Sequence, residues 1–259
     1  MDLFLRGKRV VITGASQGIG EGLAHAFAEE GADLHLVARS GERLAALQKE
    51  LADSHGVDIR IQPLDLTAPG AAEAVAAAVP DIDVLVNNAG AIPGGDLWTV
   101  DAEKWRSGWE LKVFGYIDLT RAIYPVMKAR GAGVILNNIG NGGENFDFDY
   151  VAGSTGNASL MAFTRAIGGR SLEDGIRVLG INPGPVATER IYKVLKARAQ
   201  SRLGDAERHT EYLQHYPLGR PASVREVADL FVFLASSRSG YTSGTIVTVD
   251  GGITSKRSI

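Results

Sequence analysis

The chain has 259 residues, of which 45% are apolar and 22% are charged, and this length suits one domain with a sizeable core. With 27 Lys and Arg against 30 Asp and Glu, its net charge is -3 and it has no basic block, which argues against a nucleic-acid partner. Cysteine is absent, so disulfides and thiolate metal sites are excluded, and no ligand spacing suggests another metal site. There is no secretory signal pattern and no apolar run of about 18 residues, so we expect a cytoplasmic protein without a membrane span.

Short β-branched runs alternate with longer helical segments along the chain. The runs predicted as buried strands are residues 9–13, 34–37, 57–61, 84–86, 134–136, 176–181 and 245–249. The predicted helical segments are residues 20–30, 42–53, 69–79, 105–130, 158–173 and 224–235. This alternation predicts an α/β fold, a Rossmann-like doubly wound parallel sheet of about seven strands with helices on both faces.

Residues 189–216 interrupt the alternation, because they are polar and charged and contain no strand of their own. We predict that they form a helical flap over the carboxyl ends of the strands, within a single domain that spans residues 1–259.

A glycine-rich turn lies between the first predicted strand and the first predicted helix. The turn includes Gly14, Ser16, Gln17, Gly18, Ile19 and Gly20. Glycines let the backbone turn tightly and approach a pyrophosphate, which then lies at the positive N-terminal end of the helix. The strand–turn–helix context favours a dinucleotide site, although such turns also occur without a ligand.

Together with four later blocks, this turn resembles the short-chain dehydrogenase/reductase family over essentially the whole chain. The later blocks are Asp65-Leu66, Asn-Asn-Ala-Gly at 87–90, Asn-Pro-Gly-Pro-Val-Ala-Thr at 182–188, and the tail at 217–252. The resemblance implies a nicotinamide dinucleotide held by the turn and by Asp65, Leu66, Asn87, Ala89, Gly90, Pro183, Gly184, Val186 and Thr188. In it, Asp65 faces the adenine, residues 87–90 pack beside the adenosine, and Val186 and Thr188 meet the nicotinamide carboxamide. Taken alone, Asp65 is equally a helix cap, and residues 87–90 are equally a strand-end turn.

The end of the second predicted strand favours NADP(H) over NAD(H). Ala38 stands where a carboxylate for the ribose 2′-hydroxyl is usual, and Arg39 follows it, as suits a 2′-phosphate. The alternative is a surface Arg39 that pairs with Glu42 and does not contact the ligand.

Members of this family resemble one another in an Asn-Ser-Tyr-Lys tetrad. In this chain, other residue types stand at all four positions. Alignment of the helical segments places Lys112, Gly140, Gly153 and Asn157 at those positions. A second alignment register makes Tyr150 the family's tyrosine and places Ser154 at the lysine position.

Lys112 stands at the position of the family's Asn, and Asn157 stands at the position of its Lys. Because those two residues lie close together in the family, the two substitutions look like a reciprocal exchange. A desolvated Lys112 entering from the opposite helix can act as acid or base, and Tyr150 can reach the space left by two glycines. The candidate catalytic residues are therefore Lys112, Asn157 and Tyr150. The alternative is that Lys112 points outward or packs its stem along a helix interface.

We predict an oxidoreductase that transfers a hydride between the dinucleotide and a carbonyl or alcohol substrate. The aromatic residues expected around the pocket favour an apolar or aromatic substrate, although each also suits plain packing; they are Trp98, Phe146, Phe148 and Tyr192. The alternatives are a dinucleotide-binding sensor or pseudoenzyme without turnover, and a non-redox enzyme. Segments 105–130 and 158–173 resemble the helix pair that packs across a two-fold axis in the family, which implies a homo-oligomer, in particular a tetramer.

Overall fold

Seven parallel strands form one sheet in the computed structural model, which describes residues 1–256. Their spatial order is β3-β2-β1-β4-β5-β6-β7. The strands are β1 (Arg9–Thr13), β2 (Asp33–Ala38), β3 (Ile59–Pro63), β4 (Val84–Asn87), β5 (Gly133–Asn138), β6 (Ile176–Pro183) and β7 (Ile246–Val249). The predicted Rossmann-like fold is confirmed, because the β-branched runs pair as parallel neighbours in the expected sheet.

Eight α-helices connect or flank these strands within the described residues. They are α1 (Gly18–Glu29), α2 (Gly41–His55), α3 (Ala71–Ala78), α4 (Ala102–Trp109), α5 (Gly115–Arg130), α6 (Val151–Gly168), α7 (Glu189–Leu203) and α8 (Val224–Ala235). A π-helical segment, Glu110–Phe114, joins α4 to α5, and a 3-10 segment, Ala206–His215, follows α7.

Two helix predictions need correction. The segment predicted over 105–130 begins at Ala102, where Asp101 Oδ1 accepts a 2.8 Å hydrogen bond from the Lys104 backbone, and the π segment interrupts it. Helix α6 begins at Val151 rather than at 158. Its first turns contain glycines with low helix propensity, so close packing decides their conformation: a Cβ at Gly156 would lie 3.0 Å from Ile92 Cδ1.

The sheet separates two apolar layers. Along β1, Val10 and Ile12 face the layer that contains Phe27 of α1, while Val11 faces the layer that contains Leu119 of α5. Successive strand side chains point to opposite faces, so strands buried on both faces are apolar at most positions.

The strand order reverses between β1 and β4, whose carboxyl ends therefore open a crevice at one edge of the sheet. The glycine-rich turn follows β1 there, and residues 87–90 follow β4. No helix within residues 1–256 combines the length and apolar character needed to cross a bilayer.

Candidate active site

The glycine-rich turn packs backbone to backbone against the end of β4. Gly14 has a φ of +65°, and a Cβ there would lie 2.9 Å from the Ala89 Cα. A Cβ at Gly20 would lie 2.2 Å from the Gly14 carbonyl oxygen. Helix α1 begins at Gly18 without a side-chain cap, and Thr188 faces Gly18 from the opposite wall. This cradle, with free helix N–H groups, fits a pyrophosphate.

Asn88 connects the turn to two strands, a bridging role that its place in the 87–90 block did not predict. Its Nδ2 donates to the Thr13 carbonyl oxygen at 2.9 Å, and its Oδ1 accepts from Asn138 Nδ2 at 2.7 Å. Thr13 Oγ1 in turn accepts from the Ala89 backbone at 3.1 Å. These bonds tie the turn to the ends of β4 and β5, because they pair polar groups of the three segments with one another.

The side chain of Asn87 lies in the interior of the fold. It is fully buried, and its Nδ2 donates to Asn137 Oδ1 at 2.9 Å and to Thr120 Oγ1 at 3.3 Å. The Asn87 amide therefore stabilises the sheet and the α5 layer rather than the edge of the crevice.

Two arginines, Arg39 and Arg43, lie beyond the end of β2. Arg39 is exposed and belongs to none of the ion pairs found within residues 1–256, so the alternative of a pair with Glu42 is not observed. Arg43 donates from Nη1 to Gln17 Oε1 at 2.7 Å. The proximity of Arg43 to Gln17 is a tertiary contact between α2 and the turn, so no local sequence pattern indicates it.

Asp65 lies after β3 and is exposed. Its Oδ1 accepts hydrogen bonds from the Thr67 backbone at 3.0 Å and from Thr67 Oγ1 at 2.8 Å. These bonds, with the nearby charge of Arg39, lower the pKa of Asp65. The neighbouring Leu66 packs partly buried against the α5 layer.

The segment after β6 forms the other wall. Gly184 approaches the chain closely, since a Cβ there would lie 2.7 Å from Asp250 Cβ, and Pro183 ends the strand. Val186 is buried and pairs with Ala222 in a short bridge. The segment is therefore held from behind, and α7 begins directly after Thr188.

Lys112 points into the protein, so an outward orientation is excluded. It lies in the π segment, its Nζ donates to the Ile139 carbonyl oxygen, and its stem crosses Gly90, where a Cβ would lie 2.8 Å from Lys112 Cδ. Burial, with a contribution from the positive charge of Arg190, lowers the pKa of Lys112 to about 7. Lys112 can therefore gain or lose a proton near neutral pH.

Asn157 lies on α6 beside the glycines that follow β5. A Cβ at Gly140 would lie 3.1 Å from Asn157 Nδ2, and Gly140 has a φ of +116°, which strongly favours glycine. Asn157 is buried, and its Oδ1 has no hydrogen-bond partner in the described part of the chain. Lys112 Nζ and Asn157 Oδ1 are therefore not hydrogen-bonded to each other.

Tyr150 occupies the space next to Gly153. A Cβ at Gly153 would lie 1.9 Å from Tyr150 Cζ, so the Tyr150 ring stands where a side chain at 153 would begin. The ring also packs partly buried near Ile92 and Val100. The sequence predicted that Tyr150 can reach this space, but not that it fills the space directly.

The aromatic residues expected around the pocket lie mostly on the surface. Trp98, Phe146 and Phe148 are 77%, 75% and 63% exposed, and the Trp98 and Phe148 rings are 6.0 Å apart. The loop that carries both Phe residues is tied to α7, because Arg202 pairs with Asp149 at 2.9 Å.

Known proteins resemble the chain along most of its length. A family model described as enoyl-(acyl carrier protein) reductase matches residues 14–254. Galactitol 2-dehydrogenase (L-tagatose-forming) of Cereibacter sphaeroides is 34% identical over 255 residues, which cover 96% of each chain.

Solved structures show the same fold with nicotinamide cofactors. L-sorbose reductase from Gluconobacter frateurii, complexed with NADPH and L-sorbose, is 35% identical, with a TM-score of 0.92 over 99% of this chain and 100% of that one. A 7α-hydroxysteroid dehydrogenase complexed with NADH is 28% identical, with a TM-score of 0.85 over 97% and 96% of the two chains. The cofactor thus differs between relatives.

Proposed function

The chain belongs to the short-chain dehydrogenase/reductase family, and on that premise we propose that it is a nicotinamide-dependent oxidoreductase with a non-standard proton donor. Its substrate is a small molecule with a carbonyl or alcohol group. When bound, the reduced dinucleotide supplies a hydride. The residues of this chain bind and orient the reactants and deliver the proton.

The residues proposed to bind the cofactor lie in the glycine-rich turn, in the segment after β4 and in the segment after β6. The turn from Gly14 to Gly20 and the N-terminus of α1 hold the pyrophosphate, while Ala89, Gly90, Val186 and Thr188 frame the rest of the site. Asn87 supports the site from the interior through its bond to Asn137. Arg39 and Arg43 hold a 2′-phosphate, so NADP(H) is preferred over NAD(H), as the Gln17 contact of Arg43 supports.

Calorimetry with NADPH and NADH tests this preference. We expect NADPH to bind more tightly, and the double variant Arg39→Met/Arg43→Met to reduce the preference about tenfold, while Arg165→Met on α6 leaves it unchanged. If the double variant kept the parent's ratio of NADPH to NADH affinity, neither arginine would bind the 2′-phosphate.

Lys112 carries the catalytic proposal, because its stem lies against Gly90, its ammonium bonds to the Ile139 carbonyl oxygen, and its pKa is about 7. Lys112 donates a proton to the oxygen of the reacting carbonyl and regains it from solvent. The Asn157 Oδ1, which has no partner within the described residues, accepts from Lys112 through a water or from the substrate hydroxyl. The Tyr150 phenol borders the same space over Gly153.

The variant Lys112→Met tests this role, since it keeps most of the stem volume and removes the proton. We expect NADPH affinity to stay within about twofold of the parent, and NADPH oxidation with a panel of ketoses, aldehydes and oxo acids to fall about 10²-fold or more. Turnover equal to the parent's would contradict the role of Lys112.

The glycines favour a second candidate function. Gly140 and Gly153 supply no hydroxyl groups at the positions that resemble the family's Ser and Tyr, which supports a dinucleotide-binding protein without turnover or a non-redox enzyme. A parent protein that binds NADPH and oxidises it with no member of the panel would favour this candidate.

The tetramer is also part of the proposal. Ala162 and Ala166 are exposed on α6, and their small side chains allow close approach of a second copy. Light scattering at micromolar concentration should give four times the chain mass, and a monomer would contradict it. The single domain with a flap at 189–216 and the cytoplasmic location stay predictions.

A further inference from the structure

Two cationic side chains meet at Gly90. Arg190, in the first turn of α7, donates from Nη2 to the Ile92 carbonyl oxygen at 3.1 Å and from Nη1 to that of Gly90 at 3.5 Å. The stem of Lys112 crosses the Cα side of the same glycine. Neither cation forms an ion pair with any residue from 1 to 256.

Three of the other four cations of α7 have carboxylate partners, and the fourth, Lys193, is exposed to solvent. Lys196 pairs with Glu207 at 3.2 Å, and Arg202 pairs with Asp149 at 2.9 Å. Arg190 instead bonds only to backbone carbonyls, and it lies at the N-terminal end of the helix, where the macrodipole adds positive potential. The local potential around Gly90 therefore favours an anion.

Both groups have donors to spare. A guanidinium has five N–H donors in a planar fork that matches a carboxylate, and an ammonium has three. The backbone bonds of Arg190 and the single bond of Lys112 leave further donors for a ligand.

We propose that Arg190 selects substrates that carry a carboxylate within a few bonds of the reacting carbonyl, so that the substrates are oxo acids and the corresponding hydroxy acids. The inference rests on the proposed function in one respect, that the carbonyl oxygen faces Lys112. Arg190 is then a specificity-determining residue. Its guanidinium binds the substrate carboxylate, while Lys112 donates a proton to the carbonyl oxygen.

A bound carboxylate also affects Lys112 itself. Arg190 is the charged group, within the part of the chain that the structure describes, that lowers the pKa of Lys112 in addition to burial. A carboxylate on Arg190 offsets that charge, which raises the pKa of Lys112 and increases its protonated fraction near neutral pH. The carboxylate thus favours the form of Lys112 that can donate a proton.

Binding without turnover tests the proposal. With saturating NADP⁺ present, no hydride can pass to an oxo acid, so calorimetry can compare 2-oxobutanoate, acetoacetate and levulinate with their neutral amides. We expect at least one acid to bind about tenfold more tightly than its amide. Arg190→Met should abolish that difference, and Arg190→Lys should restore part of it.

Lys193→Met is the matched control, because it removes an exposed positive charge from the same helix and should keep the full difference. Circular dichroism establishes that each variant is folded. The proposal is overturned if none of the acids binds more tightly than its amide, or if Arg190→Met retains the preference. Because these measurements involve no turnover, they are independent of whether Lys112 donates the proton.

Discussion

The two halves of the crevice use glycine for opposite purposes. At the cofactor end, Cβ atoms at Gly14 and Gly20 would collide with backbone, so these glycines allow two chain segments to approach. At the catalytic end, a Cβ at Gly140 or Gly153 would meet the side chains of Asn157 or Tyr150. The first region is a rigid cradle, whereas the second is a space that side chains from other positions have entered.

Breaking the cradle should have the largest effect. Gly20→Ala places a Cβ 2.2 Å from the Gly14 carbonyl oxygen, and Gly14 cannot retreat because it packs on Ala89. We expect NADPH affinity to fall at least about 10²-fold and the melting temperature to drop by several degrees, as measured by calorimetry and circular dichroism.

Gly94→Ala provides the control, since a Cβ there would meet nothing within 4 Å. If Gly20→Ala bound NADPH as tightly as Gly94→Ala does, the turn would not be a rigid cradle.

At Gly153, adding a Cβ should act on a neighbouring side chain rather than on the backbone. Gly153→Ala must displace the Tyr150 ring, which we expect to cost about 1–3 kcal/mol of unfolding free energy. In a Tyr150→Ala background the same substitution should be neutral or stabilising, because alanine is the better helix former. Denaturant unfolding of the four proteins measures this coupling, and an equal cost in both backgrounds would contradict the overlap.

A smaller effect is expected from pH. The pKa of Lys112 is about 7 in the folded protein and 10.5 in its ordinary state, so between these values the unfolded chain binds more protons. The free energy of unfolding should therefore rise with pH through this window. The contribution of Lys112 to that free energy should be least favourable below pH 7. Lys112→Met should then be more stable than the parent at pH 6, by on the order of 1–2 kcal/mol, with a gain that shrinks toward pH 10. Chemical denaturation at several pH values checks this, and a gain independent of pH would count against the shifted pKa.

The structure of the glycine-rich turn follows from the sequence more directly than the surroundings of Lys112 and Gly153 do, and the reason is physical. Strand periodicity and the glycine turn are local patterns, so β1, the turn and α1 follow from short stretches of sequence. The second arginine near Gln17, the bridging role of Asn88 and the contact of Arg190 with Gly90 join distant segments, which no local pattern reveals. The substitution at Gly153 was visible, but the return of an aromatic ring from Tyr150 depends on how the chain enters α6.

The protonation of Lys112 can be measured without any substrate. Nuclear magnetic resonance of protein labelled at the lysine Cε and Nζ atoms follows each lysine as the pH changes, and Lys112→Met assigns the signal. The account predicts one lysine that titrates at about 7 and whose signal is missing from the variant. A Lys112 signal that titrates near its ordinary value of 10.5 would contradict the account.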